Sequence, residues 1–150
     1  HFVSSSVAYP TNDLLRYLAD PDLCGIIVCP SNPFLSVDPI LSVHGLKEAL
    51  IASKVPIVAV SPLINGQAVK GPTAKIMKEL GLVLSPVSVA AHYQDFINGF
   101  ILDETDAEHV AEITKSGMSV VTAQTLMASL DDRINLAQTA VNLCDELRGE

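Results

Sequence analysis

The sequence predicts an α/β fold with a mainly parallel sheet flanked by helices. Three observations carry that expectation. Short apolar runs recur without sustained alternation, amphipathic or capped segments separate them, and almost half the 150 residues are hydrophobic at 49%. Strands covered on both faces read as continuous apolar blocks, and their alternation with helices favours parallel pairing. A chain of this size can bury a full core as one α/β domain, or form part of a larger one.

Five runs are expected as strands: residues 25–29, 56–60, 82–84, 100–102 and 119–121. Between them, Pro72 and Gly81 bracket one helix. Thr105-Asp106-Ala107-Glu108 has the form of a capping box, with Gly117 closing the helix that follows. From Ser129 onward, Leu130, Ile134, Ala137, Val141 and Cys144 recur every three or four residues and predict one apolar stripe packed on the sheet. Ser4-Ser5-Ser6 and Tyr9-Pro10 read as a loosely held entry segment.

Charge and composition remove several function classes. Seventeen acidic against nine basic side chains give a formal charge of -8, which opposes attachment to nucleic-acid backbones and to anionic membranes. No apolar block is long enough to cross a bilayer and no secretory signal opens the chain, so a cytoplasmic setting is expected. Cys24, Cys29 and Cys144 match no zinc or redox spacing and are expected as buried reduced thiols. His1, His44, His92 and His109 are not paired at metal-ligand spacing, so no metal ligand is assigned. His92 reads as structural.

Function is expected where open α/β sheets bind ligands, beyond the carboxyl ends of the strands. Cys29-Pro30-Ser31-Asn32-Pro33 leaves the first strand and continues through Ser36 into a proline-rich connection. Such a loop can offer the hydroxyls of Ser31 and Ser36, the Asn32 amide and backbone N–H groups, or can spend the same groups on its own turns. The second strand ends at Ser61-Pro62, and Lys70-Gly71-Pro72-Thr73 starts a helix whose amides, with the lysine, suit a phosphate. A solvated lysine beside an ordinary helix start fits equally. Asp103-Glu104 and Asp131-Asp132 fall at strand ends or helix starts, where capping is the default role. The dinucleotide, P-loop and hydrolase-elbow fingerprints are absent.

The run from Cys29 to Leu41 closely resembles a segment of the 2-phospho-L-lactate transferases, which act in deazaflavin coenzyme F-420 biosynthesis. Ala59-Val60-Ser61-Pro62, Val69-Lys70-Gly71-Pro72, Ala91-His92-Tyr93, Gly99-Phe100-Ile101-Leu102-Asp103 and Thr125-Leu126-Met127 follow in the family's order. The resemblance implies a Rossmann-like sheet and transfer of a phospholactyl or phosphoenolpyruvyl-type group. The donor would be a guanosine diphosphate conjugate, the acceptor the ribityl hydroxyl of a deazaflavin precursor, with GMP released and magnesium assisting.

Carried over by position, Ser31, Asn32, Pro33 and Ser36 would frame the donor, with Ser61, Lys70 and Gly71 as a second wall. The family's glycine-rich first loop and its Asn-Val-Gly-Asp-Asp type segment do not occur, so the chain resembles the C-terminal half, with the magnesium ligands elsewhere. Gln124 stands where many relatives have an aspartate, which leaves any carboxylate role there unassigned. A related class, the nucleotide-sugar-binding regulators of the gluconeogenesis-factor type, shares the fold and would take a uracil ligand. A packing module is the third reading, and a homodimer is left open.

Overall fold

The computed structural model describes residues 7–69 and 71–149, so Ser4-Ser5-Ser6 and Lys70 lie outside the described residues. Four strands form one parallel sheet: β1 (Ile26–Val28), β2 (Ile57–Val60), β5 (Gly99–Asp103) and β6 (Ser119–Ala123). Their spatial order follows the chain, β1-β2-β5-β6. A two-stranded antiparallel ribbon, β3 (Leu63–Ile64) with β4 (Gln67–Ala68), projects after β2. Its turn is Asn65-Gly66, both at positive φ, 51° and 64°, the backbone that a tight hairpin requires and that Asn and Gly tolerate best.

Residues 82–84, expected as a strand, are irregular. Gly81 at φ 71° ends α4 (Thr73–Glu79), and the Leu82 amide turns back to the Met77 carbonyl. Ser85 then caps α5 (Pro86–Tyr93), its side chain accepting from the Ser88 amide. Two helices therefore meet through a short connection that has no room to cross the sheet, and Val83 is left exposed.

The sheet is covered on both faces. One face carries Ile57, Ala59, Phe100 and Leu102 against Met77 of α4, Val89, Ala90 and Tyr93 of α5, and Ile113 of α6 (Val110–Thr114). The other carries Val58, Val60 and Ile101 against Leu136, Ala140, Leu143 and Cys144 of α7 (Leu130–Arg148). Phe100 and Ile101, adjacent in the chain and fully buried on opposite faces, each contribute about 1.5–3 kcal/mol by leaving water.

The stripe of α7 that meets the sheet is not the expected one. Leu130, Ile134 and Val141 are exposed, and of the predicted set only Cys144 joins the buried face. Two glycines decide which side docks. A methyl on Gly25 would lie 2.7 Å from Cys144 Sγ, and one on Gly99 would lie 3.0 Å from Leu143 Cδ2 and 3.1 Å from Leu147 Cδ1. Bare backbone at these two points lets the Leu143, Cys144 and Leu147 side approach closely.

Two further expectations change. Cys24 and Cys29 are exposed and only Cys144 is buried: the first two flank β1, the edge strand of the sheet, while Cys144 lies on the face of α7 that packs on the sheet. Thr105 does not open a capping box. The cap is Asp103, whose carboxylate accepts from the Thr105 amide, and a 3₁₀ turn (Glu104–His109) precedes α6. By contrast Ser129 and Asp132 do form a capping box at the start of α7, which gives Asp132 the capping role expected of it, with Asp131 in the same first turn. Hydrogen bonds from Ser129 hold the Asp132 carboxyl below the usual carboxylate range.

The remaining helices follow β1. The chain runs through a π-helical turn (Pro33–Val37) and a short α2 (Asp38–Leu41) to α3 (Leu46–Ala52), while α1 (Asn12–Leu18) lies before the sheet. No helix among the described residues is long and apolar enough to cross a membrane.

Candidate functional site

A cleft of about 490 Å³ opens beyond the carboxyl ends of β1, β2 and β6. Ser31, Asn32 and Ser36 line it from the loop after β1, Ser61 from the end of β2, and Gly71 from the approach to α4. Five of the seven residues singled out in the sequence are thus brought together. Pro33 is buried behind the surface as the first residue of the π-helical turn, where its fixed φ starts the turn.

The same geometry separates groups that are free from groups already committed. Asn32 Oδ1 accepts from the Phe34 and Leu35 amides at 2.9 and 3.0 Å, capping the π-helical turn. Its Nδ2 donates to Thr73 Oγ1 at 2.9 Å, joining the β1 loop to the first turn of α4. Ser61 is 1% exposed, and its Oγ accepts from the Leu63 amide at 3.1 Å to shape the turn into β3. Asn32 and Ser61 therefore build the walls. The hydroxyls of Ser31 and Ser36 make no hydrogen bond among the described residues, so they are the side-chain groups free to meet a ligand.

The far end of the β1 loop is also tied down. His92 Nε2 lies 2.8 Å from Asp38 Oδ1, and the His92 ring packs on Phe34 with centroids 4.9 Å apart. Next to it Tyr93 is buried, and burial with the added charge of Asp38 pushes its phenol far above the usual range. His92 thus ties α5 to Asp38, the residue that follows the π-helical turn.

The cleft contains residues that the sequence reading left without a role. Thr73 lines it beside Pro72, and no side chain caps the start of α4 there. Thr125, Leu126 and Met127 close the side after β6, facing Leu35, Ile64 and Val69. Spacing could not have placed them, since they stand some sixty residues or more from Ser61 along the chain; their resemblance to a family segment was the available signal. Gln124 turns away, lining a separate small cavity with Glu104 and Asp132.

A larger cavity of about 710 Å³ lies at the opposite end of the sheet. It is ringed by the carboxyl ends of α3, α5 and α7, with Lys54, Asp95, Asn98 and Arg148 among its lining. Exposed carbonyls and the negative ends of helix dipoles disfavour an anion there. The smaller cleft has unspent hydroxyls and an uncapped helix start, and it is the candidate ligand site.

No charged side chain lines the cleft among the described residues, and no group of three His, Cys, Asp or Glu is placed to hold a metal. Asp103, at the end of β5, has both oxygens occupied by four hydrogen bonds from Thr105 and Thr125. Hard cations such as magnesium seek carboxylate oxygens, so this lining does not fit one.

A parallel sheet with a hydroxyl- and amide-bearing cleft at its strand ends defines an α/β protein suited to a small ligand. Comparison with known proteins gives the family. The family model described as 2-phospho-L-lactate transferase CofD matches residues 1–141, and the chain belongs to that family.

Among similar proteins, the 2-phospho-L-lactate transferase of Methanosarcina barkeri is 41% identical over 122 residues, covering 81% of this chain and 39% of that protein. That of Methanocaldococcus jannaschii is 35% identical over 146 residues, 97% of this chain and 45% of that protein. A phosphoenolpyruvate transferase of Kitasatospora aureofaciens is 32% identical over 147 residues, again 97% and 45%. The chain thus spans less than half the length of these relatives.

Proposed function

We propose that this chain forms the donor-binding wall of a transferase. The enzyme would move a phospholactyl, or phosphoenolpyruvyl-type, group from a guanosine diphosphate conjugate to the ribityl hydroxyl of a deazaflavin, releasing GMP. The observation that carries this reading is the convergence of Ser31, Asn32, Ser36, Ser61 and Gly71 on one cleft at the strand ends. The names of its relatives, transferases of phospholactate and of phosphoenolpyruvate, supply the reaction class and leave both donor groups in play.

Attack of an alcohol on phosphorus asks the protein to hold the diphosphate, offset charge on its oxygens and activate the hydroxyl. The chain's share is the first of these tasks. Ser31 and Ser36 hydroxyls would donate to the donor's polar atoms, and the start of α4 at Pro72 and Thr73, which no side chain caps, would lie toward its phosphate end. The Leu35, Ile64, Leu126 and Met127 side chains shield the heterocycle from water.

Hydroxyl activation and magnesium binding are left to residues other than the described lining, which holds no carboxylate. On this reading the chain is part of a cytoplasmic transferase, in keeping with its match to less than half the length of its relatives. Calorimetric titration of the full-length protein with GDP tests the reading. Binding that weakens severalfold in a Ser31→Ala, Ser36→Ala double variant is the expected result. Absence of GDP binding overturns it, and binding of UDP instead would favour the uracil-binding regulators.

A further inference from the structure

We propose that Asp103 is a positioning residue that aligns two walls of the cleft through a buried hydrogen-bond hub. The proposal rests on the reading of the cleft as a nucleotide site. Asp103 ends the fully buried central strand β5 and is itself 4% exposed. Its Oδ2 accepts from the Thr125 amide at 3.0 Å and from Thr125 Oγ1 at 2.9 Å, fixing the segment that begins Thr125-Leu126-Met127.

Its Oδ1 accepts from the Thr105 amide at 3.0 Å and Thr105 Oγ1 at 2.6 Å. That hydroxyl in turn accepts from the Asn65 amide at 3.0 Å, and Asp106 Oδ1 accepts from the Gly66 amide at 2.7 Å. Both amides belong to the hairpin turn between β3 and β4, and Ile64 beside that turn lines the cleft. One carboxylate at a rigid strand end therefore sets the Thr125 wall directly and the hairpin wall through Thr105.

The chemistry of the hub supports an ionised, oriented group. Burial by itself would raise the Asp103 carboxyl, but the hydrogen bonds from Thr105 and Thr125 outweigh it and hold the group below its ordinary range. Every partner of its two oxygens is a donor, two of them backbone amides that cannot reverse. An asparagine there presents a donor on one side and must give up one wall. Asp106 strengthens the case: its Oδ2 is buried without a partner among the described residues. Leaving a carboxylate oxygen unmet is unfavourable, and the Gly66 bond to the other oxygen is the visible compensation.

The test uses the full-length protein with two readouts. Thr105 does not line the cleft, so it acts on a ligand only through its partners. Thr105→Val removes the relay hydroxyl, and the expected result is GDP affinity lowered about five- to tenfold at a melting temperature within a few degrees of wild type. Thr105→Ser, which keeps the hydroxyl, restores affinity to within about twofold. Amide hydrogen exchange supplies the ligand-independent readout: Asp103→Asn speeds exchange at Thr125 or at Asn65 while Phe100 stays protected.

Wild-type GDP affinity in Thr105→Val, or no gain from Thr105→Ser over Thr105→Val, overturns the positioning role. Unchanged exchange at both walls in Asp103→Asn overturns the hub itself. Should wild type fail to bind GDP, the nucleotide reading falls, and the exchange result alone decides the hub.

Discussion

Asn32 offers a perturbation that separates holding the cleft together from meeting its ligand. Asn32→Ala removes the acceptor for the Phe34 and Leu35 amides and the donor to Thr73, whose side chain is buried at 2% exposure. Loss of a cap of this kind costs about 1 kcal/mol, and loss of the bond at Thr73 about 1 kcal/mol more. Asn32→Asp is different: the remaining oxygen still accepts from both amides, and the Thr73 hydroxyl can turn to donate, so stability stays within about 0.5 kcal/mol of wild type.

The aspartate places a negative charge in the cleft wall. At about 6 Å from an anionic ligand group, with solvent screening at an open site, that charge costs about 1–2 kcal/mol, or roughly 5- to 30-fold in affinity. Urea unfolding reads the first effect, and calorimetry with GDP at low and high salt reads the second. If Asn32→Asp binds GDP as tightly as wild type, no phosphate lies near Asn32. If Asn32→Ala is as stable as wild type, the cap and the Thr73 bond do not hold the loop.

Other perturbations address the frame around the site. Gly25→Ala drives a methyl to within 2.7 Å of Cys144 Sγ and 2.9 Å of its Cβ, and should cost about 1–3 kcal/mol in thermal or urea unfolding. Adding Cys144→Ala should return part of that loss, and strict additivity in the double-mutant cycle would contradict the close-approach argument. Ser129→Ala removes the cap of α7 and should cost about 1 kcal/mol by the same measurement.

Asp103 gives a pH dependence of definite sign. Its folded-state pKa is depressed, so its contribution is present above the unfolded value of about 3.9 and is lost as pH falls through the folded one. Stability against urea below about pH 4 should therefore decline more steeply in wild type than in Asp103→Asn. Parallel profiles would refute a depressed pKa.

The sheet and the site loop were legible because both rest on local signals. Residues 26–28 and 57–60 are apolar blocks ending in Pro30-Ser31-Asn32 and Ser61-Pro62, and strand ends followed by such loops advertise themselves. Leu82-Val83-Leu84 carries the same signal, yet it lies between Gly81 and the Ser85-Pro86 helix start, and that spacing, not the apolar content, decided its conformation.

The long helix misled for a related reason. Its sequence contains two stripes at helical spacing, one through Leu130, Ile134 and Val141, the other through Leu136, Ala140, Leu143 and Leu147. Periodicity cannot choose between them. The choice depends on the bare backbone at Gly25 and Gly99, which is a tertiary fact. The Asp103 hub was invisible for the same cause, since Asp103 to Thr125 spans 22 residues and Asn65 to Thr105 spans 40.

The central claim is that the donor nucleotide sits at the strand ends, against Ser31 and Ser36. A crystal structure of the full-length protein with GDP tests it most directly. The account predicts nucleotide in the cleft between the β1 loop and Thr125-Leu126-Met127, with the Ser31 or Ser36 hydroxyl within hydrogen-bond distance. Nucleotide bound instead in the larger cavity beside Lys54 and Asn98 would contradict it.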